Sequence, residues 1–393
     1  MRYLIALVAM LLGLGAHARD DLTMNVTLDY DQERDNVATQ TLFSDLARSL
    51  SHSIGVPVKL IMTQNAERMG ERIRNQSYSI LLAPAQLVGV AMRSGYLPVA
   101  RSEQDVSVVL VARRGANVTT LENARGKRIV LPHRESLVSY MVRSELNALG
   151  LSPSTYFSST SYMNKYGAVL YTMEIGEADI AAMKDSIARE WISHNGTGTV
   201  IKSFTKVPLA GVMVSDKLDE GLRGKIRVAF TTLDKDLQHR LTVMKMSGFE
   251  PADKADFDYV ASRGLYTPEV LPGAVIATAE MVKGLIAQGV KVYDVRPHKY
   301  QYVDAHIPGA PNLPYVANSP KEADYDDSVD VFDISKLPQD KNTPMIFQCN
   351  GPECWYSYKA SRYMIKRGYK KVYWFRTGLP AWKAAGYSVQ HGM

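Results

Sequence analysis

Apolar and polar positions follow two rhythms along the first 150 residues, and each rhythm predicts one kind of element. Alternating or continuous apolar runs predict strands, whereas apolar positions three or four residues apart predict amphipathic helices. The predicted strands are 22–28, 57–62, 78–82, 106–112 and 129–131, and the predicted helices are 39–54, 66–74, 85–94 and 136–149. Strands that alternate with helices indicate a sheet covered by helices, so the pattern predicts an α/β fold.

The first 18 residues have the pattern of an export signal. Arg2 supplies a positive charge, residues 3–14 form an apolar run, and Ala16-His17-Ala18 is a small-x-small cleavage motif. No later apolar stretch is long enough to span a bilayer. The sequence therefore predicts a periplasmic protein whose signal peptide, 1–18, is cleaved after Ala18 and whose mature chain has no membrane span.

The length of the chain and a cluster of glycine and proline residues predict more than one domain. The chain has 393 residues with 46% hydrophobic content, which is too long for a single core. Glycine and proline cluster at Gly264, Pro268, Pro272 and Gly273, as is typical of a domain boundary. We predict a first domain at 19–261 with its second lobe at about 114–205, a linker at 262–274, and a small α/β domain at 275–393.

Charge and ligand spacing exclude some function classes. The net charge of +6 is spread thinly along the chain, which argues against nucleic acid as a partner. Two cysteines and eight scattered histidines form no metal-ligand spacing, so we predict no metal and no cofactor. Residues 318–342 hold seven carboxylates. We interpret this segment as a solvated insertion over one edge of the small domain, with a weak cation site as the alternative. The carboxylates are Glu322, Asp324, Asp326, Asp327, Asp330, Asp333 and Asp340.

Four segments of the first domain resemble the phosphonate-binding class of periplasmic solute-binding proteins. They are 121–129 (LENARGKRI), 146–153 (LNALGLSP), 168–182 and 248–253 (GFEPAD). The resemblance implies a two-lobed periplasmic binding protein fold that binds a small anionic solute between its lobes. It also implies an ABC permease as a partner, although it does not identify the solute.

In such a fold, loops at the carboxyl ends of strands present helix N-termini to an anion. Ser136 is the first candidate contact, through its hydroxyl group and the neighbouring amides, and Arg134 supplies a bidentate donor. The alternative is that Ser136 is only a helix cap and Arg134 only a solvated charge. Further candidates near strand ends are Tyr30, Pro84, Tyr162 and Asp185.

The two cysteines, Cys349 and Cys354, lie between a strand-like run and a helix-like run. A cysteine in that position faces backbone N–H groups and the positive end of a helix dipole, which favour the thiolate. Export equally permits a structural disulfide. The sequence therefore leaves two interpretations of the cysteines open. They have a chemical or redox role, or they form a disulfide that only stabilises the fold.

Four ordered motifs make residues 275–389 similar to a rhodanese-like domain. They are VKVYDVR at 290–296, HIPGA at 306–310, IFQC at 346–349, and GLPAW at 378–382. The resemblance implies that Cys349 is a nucleophile that carries sulfane sulfur as a persulfide. It implies that the amides of Asn350, Gly351, Glu353 and Cys354 cradle the sulfur. It also implies structural roles for Asp294, Arg296 and His306.

The loop CNGPECW departs from the usual rhodanese pattern, because Cys354 stands where an arginine is expected. The string CxGPxCW, which ends at Trp355, resembles rhodanese-like proteins associated with quinoprotein alcohol oxidation. Two functions follow. One is a sulfurtransferase or thiol-redox domain with a sulfur donor and a thiol acceptor as partners. The other is a non-catalytic binding or accessory protein, with a Cys349–Cys354 disulfide and a periplasmic dehydrogenase as its partner.

Overall fold

The structure is a computed structural model that describes residues 21–30, 35–63, 66–195, 198–243, 245–246 and 248–392. The predicted signal peptide and its cleavage site lie outside these residues. Four sheets organise the described chain, of six, five, two and four strands. The first two sheets are the cores of two lobes, and the last one belongs to the small C-terminal domain.

The first lobe alternates strands and helices as the apolar pattern predicts. Helix α1 begins after Asp35, whose carboxylate accepts hydrogen bonds from the amides of Val37 and Ala38, and ends at Gly55 with a φ of 69°. The elements are β1 (Leu22–Val26), α1 (Asn36–Ile54), β2 (Val58–Met62), α2 (Ala66–Arg74), β3 (Ile80–Pro84), α3 (Ala85–Met92), β4 (Tyr96–Ser102) and β5 (Asp105–Val106).

The chain crosses between lobes at Ser107, and the single strand predicted for 106–112 is wrong there. Val106 ends β5, whereas Val108 begins the next strand in a different sheet. Residues on both sides are buried, so the apolar run continues across the crossing and gives no sign of it. The second-lobe elements are β6 (Val108–Arg113), β7 (Arg128–Leu131), α4 (Leu137–Ala148), α5 (Pro153–Tyr156), β8 (Ser159–Tyr162), α6 (Tyr166–Glu174), β9 (Ile180–Lys184), α7 (Asp185–Asn195) and β10 (Gly198–Ser203).

The chain then returns to the first lobe, which it completes with an antiparallel strand. The sheet order is β13-β4-β12-β3-β1-β2 in the first lobe and β10-β6-β9-β7-β8 in the second, and β5 pairs with β11 between them. The remaining elements of this domain are β11 (Val207–Pro208), β12 (Ala210–Ser215), α8 (Glu220–Thr231), α9 (Lys235–Val243), β13 (Phe249–Pro251) and α10 (Asp258–Ser262).

One ion-pair network fixes the start of β7 in the second lobe. The Asp179 carboxylate accepts from the Arg128 amide at 3.1 Å and from two of its guanidinium nitrogens at 3.1 and 2.9 Å. It also pairs with Arg113 at 3.1 Å. Hydrogen bonding from Arg128, reinforced by the nearby guanidinium charges, lowers the pKa of Asp179 to about 2.

Asp179→Asn is expected to lower the free energy of unfolding at pH 7 by about 1–2 kcal/mol. Because the folded-state pKa lies below the unfolded value of 3.8, the stabilisation is complete above that pH and is lost as pH falls towards about 2. The free energy of unfolding, measured with urea, should therefore fall over this pH range more steeply for the wild type than for the variant. Asp236→Asn, at a carboxylate whose side chain is 75% exposed, is the control. Parallel pH profiles for Asp179→Asn and the wild type would contradict the assignment.

The C-terminal domain is a four-stranded parallel sheet of order β14-β17-β16-β15, with helices on both faces. Alternate residues of the central strand face opposite layers. Phe347 packs in the layer that contains α12, whereas Ile346 packs with α11 and α13. The elements are β14 (Ala274–Ile276), α11 (Ala279–Ala287), β15 (Lys291–Asp294), β16 (Met345–Gln348), α12 (Trp355–Lys366), β17 (Val372–Phe375) and α13 (Gly378–Ala384).

The acidic insertion at 318–342 is not simply solvated, so that interpretation is wrong for two of its carboxylates. The side chain of Asp330 is fully buried, lies 3.7 Å from Lys359 Nζ, and accepts from the hydroxyl groups of Ser319 at 2.6 Å and Tyr315 at 2.9 Å. Glu322, with a side chain 8% exposed, pairs with the second lobe. Both carboxylates have protein partners that the sequence pattern does not reveal.

Among the described residues, no helix has the length and apolar character needed to cross a membrane. Over the same residues, no group of three or more histidine, cysteine, aspartate or glutamate side chains is arranged to hold a metal ion.

Candidate functional site

The cysteine loop joins the end of β16 to the start of α12. Cys349 follows the last strand residue, and Cys354 is the N-cap residue of the helix. A disulfide joins the two sulfur atoms across a Cα–Cα distance of 6.1 Å. The loop is closed by a hydrogen bond of 2.9 Å from the Cys354 amide to the Gly351 carbonyl. The strand end and the helix N-terminus are therefore covalently connected.

Backbone packing fixes the position of this loop. The Leu379 amide, at the start of α13, donates to the Cys349 carbonyl at 2.9 Å. Gly378 lies so close that a Cβ atom there would be 2.0 Å from the same carbonyl oxygen. Gly351 has a φ of 95°, which only glycine adopts readily. Two glycines at these positions thus let the chain turn tightly beside the disulfide.

A buried ion pair links β15 to the loop. Arg296 donates to Asp294 through Nε at 2.8 Å and through a terminal nitrogen at 2.5 Å, and both side chains are at most 2% exposed. The same guanidinium donates to the Asn350 side chain at 2.8 Å. Asn350 in turn donates to the Gln301 side chain at 2.7 Å. Asp294 and Arg296 therefore position Asn350, and among the described residues they form no hydrogen bond with either sulfur.

His306 lies in the scaffold of this domain. It is 1% exposed, its ring stacks on Tyr302 at 3.9 Å between centroids, and its Nδ1 lies 2.9 Å from the Tyr302 carbonyl oxygen. These contacts hold the turn that follows β15.

The two sulfur atoms differ in exposure. Cys349 is fully buried and packs in an apolar cluster with Phe347 and Tyr293, whereas Cys354 is half-buried. Within the described residues, no amide donates to either sulfur. The amides of Asn350 and Glu353 have no protein acceptor there, and the same is true of Gly351. In the disulfide form, therefore, the predicted cradle does not hold Cys349, and its amide donors are available for another acceptor.

The first domain and the linker contact the loop directly. Glu353 forms an ion pair of 2.8 Å with Arg93 at the end of α3. Thr267 donates to the Pro352 carbonyl through its amide at 2.8 Å and its hydroxyl at 2.9 Å. The Trp355 indole donates to the Leu265 carbonyl at 2.6 Å. The loop is consequently part of an interface between the domains.

Ser136 occupies the N-cap position of α4, and its hydroxyl accepts from the Ser139 amide at 3.2 Å. Ser136 is fully buried. The next amide, of Leu137, donates at 2.9 Å to the carboxylate of Asp29, which comes from the first lobe. A protein carboxylate therefore lies at the helix N-terminus where the sequence predicts a solute anion.

Arg134 is partly exposed, but its charge is paired within the protein. Its guanidinium donates to Glu322 at 2.8 Å and lies 4.8 Å from the centroid of the Tyr162 ring. Arg143 lies 3.9 Å from the same carboxylate, and Ser154 donates to it at 2.8 Å. The acidic insertion thus places a carboxylate on the arginine predicted to grip an anion. The Tyr162 hydroxyl is buried and has no partner among the described residues.

The other solute candidates divide into two groups. Tyr30 stacks on His133 at 3.9 Å and donates to Glu135 at 2.8 Å, so it bridges the lobes. Pro84 is the N-cap residue of α3, at the end of β3. Asp185 pairs instead with Arg189 at 2.7 Å on its own helix. The structure therefore brings Tyr30, Arg134 and Tyr162 to the interlobe region, with Asp185 engaged on α7.

Sequence reasoning missed Asp29, Glu322 and Gln86, which connect the same region. Asp29 directly precedes Tyr30 after a predicted strand, so a search for polar side chains at strand ends finds it. Gln86 donates to Asp29 at 3.3 Å and to the Glu135 carbonyl at 3.2 Å. Glu322 comes from a segment nearly 190 residues away from Arg134, and no sequence signal connects the two.

Burial keeps the aromatic groups of the region neutral at ordinary pH. It raises the pKa of Tyr140 to about 12 and raises the pKa of Tyr162. Burial also lowers the pKa of His133. The charges that face the interlobe region therefore come from its arginines and carboxylates.

Comparisons with known proteins assign both parts of the chain. Residues 31–257 match the family described as "ABC transporter, phosphonate, periplasmic substrate-binding protein", and residues 278–385 match the rhodanese-like domain. No curated protein matches the chain significantly.

Solved structures resemble the first domain in fold. A Xanthomonas citri protein solved with bound ATP is 15% identical, covers 61% of this chain and 95% of its own, and has a TM-score of 0.50. PhnD1 from Prochlorococcus marinus, solved with methylphosphonate, is 14% identical, covers 61% of this chain and 95% of its own, and has a TM-score of 0.46.

Proposed function

Because the chain belongs to the phosphonate-type family of periplasmic substrate-binding proteins and ends in a rhodanese-like domain, we propose that it is an exported thiol-redox protein that handles sulfane sulfur. One observation carries the proposal: Cys349, in the position of the rhodanese nucleophile, is bonded to Cys354 at the helix N-cap. A second thiol within bonding distance of the nucleophile can end a sulfur-transfer cycle by forming this disulfide.

The cycle begins with reduction. Two equivalents of an external thiol open the disulfide in two exchange steps, leave both cysteines as thiols, and depart as one oxidised disulfide. Cys354 is the accessible point of attack because it is half-buried, whereas Cys349 is fully buried. Attack on Cys354 makes Cys349 the leaving thiolate.

Sulfur transfer follows at Cys349. The Cys349 thiolate attacks the sulfane sulfur of a donor, the donor's sulfur–sulfur bond breaks, and the electron pair leaves with the donor. Cys349 then carries a persulfide, Cys–S–S⁻. The amides of Asn350, Gly351 and Glu353, which lack a protein acceptor in the described disulfide form, supply donors for that negative charge.

Two routes discharge the persulfide. An acceptor thiolate takes the outer sulfur and regenerates the Cys349 thiolate. Alternatively, the Cys354 thiolate attacks the inner sulfur, hydrosulfide leaves, and the Cys349–Cys354 disulfide forms again. The disulfide that the second route forms is opened again by the two external thiols of the reduction step, so the cycle can repeat. In this scheme the disulfide form is the resting state.

The binding-protein domain supplies a small anionic solute to this chemistry, and an ABC permease is the partner for uptake. The contacts that Arg93 and Thr267 make with the cysteine loop support a joint role for the two domains. Export to the periplasm supplies the compartment in which a disulfide persists.

Intact-mass analysis tests the proposed cycle. Protein isolated from the periplasm with its thiols blocked is expected to lack two hydrogens relative to the dithiol form. After reduction and removal of the reductant, incubation of the Cys354→Ser variant with an organic persulfide is expected to add one sulfur atom at Cys349, whereas the wild type is expected to release hydrosulfide and return to the disulfide. A reduced Cys354→Ser protein that gains no sulfur from either an organic persulfide or thiosulfate would refute the sulfur-carrier assignment.

The second candidate is a non-catalytic accessory protein, with a periplasmic dehydrogenase as its partner. The observation that favours it is the complete burial of Cys349, together with the protein carboxylates of Asp29 and Glu322 in the interlobe region. A disulfide that resists excess reductant in the folded protein would support this candidate over the first.

A further inference from the structure

A cavity of about 180 Å³ lies where both lobes, the linker and the C-terminal domain meet. Helices α2 and α3 of the first lobe and α4 of the second form part of its wall, together with Leu265 of the linker and residues 318–321 of the acidic insertion. We call it the interdomain cavity. Its polar and charged lining includes Arg74, Gln86, Arg134, Arg143, Lys321 and Glu353.

A second, smaller cavity lies beside the cysteine loop. It has a volume of about 50 Å³ and is lined by Cys354, Asn350 and Gln301, among others. We call it the loop cavity. Arg74, Lys321 and Glu353 line both cavities, and these three side chains therefore separate the interdomain cavity from the half-buried cysteine.

Several buried polar atoms at the interdomain cavity make no hydrogen bond within the described residues, among them one of Gln86 and one of Arg74. Gln86 is 3% exposed, and its Oε1 makes no hydrogen bond within the described residues, although its Nε2 donates to Asp29. The Arg74 Nε is likewise buried without an acceptor there. Because a buried polar group without a partner is costly, these atoms are candidate contacts for a bound molecule. Gln86 requires a hydrogen-bond donor and Arg74 requires an acceptor.

The charges of the lining favour an anion. Four cationic side chains line the cavity, Arg74, Arg134, Arg143 and Lys321, against the two carboxylates Glu135 and Glu353. Glu353 is paired with Arg93, so its charge is already compensated from outside the lining. Glu322 compensates Arg134. Of the four cationic side chains, Arg74 and Lys321 lie on the side of the loop cavity.

We propose that the interdomain cavity binds a small organic anion that also carries an N–H or O–H donor, of the class of amino-acid thiols and persulfides. The anionic group meets Arg74 and Lys321, and the donor meets Gln86. A bare oxyanion can accept hydrogen bonds from Arg74 and Lys321, but it has no donor for the Gln86 oxygen. The sulfur in this assignment rests on the proposed function, since it follows from the shared wall with Cys354.

Calorimetric titration of the full-length, disulfide-bonded protein with S-methyl-L-cysteine tests the site. This probe has the anionic group and the donor but no thiol, so binding is measured without any chemistry at the cysteines. We expect saturable binding that Arg74→Gln weakens at least about tenfold, because the variant removes a charged donor. Gln86→Met is expected to weaken it about five- to tenfold. Arg48→Gln, at a guanidinium whose side chain is 68% exposed on α1, is the control and should bind as the wild type does.

Thermal unfolding without ligand reports whether each variant is folded. If Arg74→Gln or Gln86→Met is not folded, Lys321→Gln replaces that variant in the titration and is expected to weaken binding about tenfold. Wild-type binding in the Arg74→Gln protein would overturn the proposal, as would the absence of saturable binding. Tighter binding of sulfate or thiosulfate than of S-methyl-L-cysteine would also overturn it, because a bare oxyanion would then be the better ligand.

Failure of this site and failure of the sulfur cycle are distinguishable. If the protein does not bind S-methyl-L-cysteine but its reduced Cys354→Ser variant gains sulfur on Cys349, the site is refuted and the cycle is left intact. If the protein binds the probe in its disulfide form but its reduced Cys354→Ser variant gains no sulfur, the site is supported and the cycle is refuted.

Discussion

Cys349→Ser is expected to abolish persulfide formation completely, whereas Cys354→Ser is expected to form the persulfide and retain it. The serine hydroxyl at position 349 is not ionised at neutral pH and cannot take sulfur from the donor. The Cys354→Ser protein keeps the nucleophile and the surrounding loop but lacks the thiol that releases hydrosulfide. Each variant therefore interrupts a different step of the same cycle.

The measurement is intact mass together with hydrosulfide release, both after incubation of the reduced protein with an organic persulfide and no added acceptor. We expect Cys354→Ser to carry one extra sulfur atom and to release hydrosulfide at least about tenfold more slowly than the wild type. Wild-type protein should return to the disulfide. Sulfur on the Cys349→Ser protein would place the nucleophile elsewhere, and equal hydrosulfide release by Cys354→Ser and the wild type would remove Cys354 from the cycle.

Gly378→Ala is expected to destabilise the C-terminal domain by about 3 kcal/mol or more. A Cβ atom at this position would lie 2.0 Å from the Cys349 carbonyl oxygen and 2.9 Å from the Gly351 amide nitrogen. Both are backbone atoms that cannot move without displacing the cysteine loop. The variant should also accelerate reduction of the disulfide, because a displaced loop exposes Cys349.

Gly386→Ala is the matched control for this substitution. Gly386 also has a positive φ, 75° against 57° for Gly378, but a Cβ atom there would meet no atom within 4 Å. Gly386→Ala should therefore lower the free energy of unfolding only by the backbone strain, about 1–2 kcal/mol. Urea unfolding and the rate of reduction by a small thiol measure both effects. Equal stability of the two variants would contradict the close approach at Gly378.

Periodicity predicts the alternating strands and helices well because each element buries one face or lies wholly inside the core. Helix α1 is an example: its apolar positions recur at helical spacing and Asp35 caps it. The two families are likewise predictable from local motifs, since LENARGKRI in the first domain and VKVYDVR in the second each encode a short stretch of chain.

What the sequence does not predict are contacts between distant segments. The crossing at Ser107 is hidden because buried residues continue across it. The pairing of Glu322 with Arg134 joins segments that are 188 residues apart, and charge pattern alone favours a solvated segment. The burial of Cys349 depends on the layer between β16 and α12, which a loop motif does not describe.

The interface at the cysteine loop also limits how this protein is dissected. The Pro352 carbonyl and the Trp355 indole find their partners at Thr267 and Leu265, which precede the first strand of the small sheet. Cutting the gene at residue 274 would leave both groups facing water and remove the counter-charge that Arg93 gives to Glu353. The chemistry of an excised C-terminal fragment is then a property of an uncovered loop, and the intact polypeptide is the proper unit for assay.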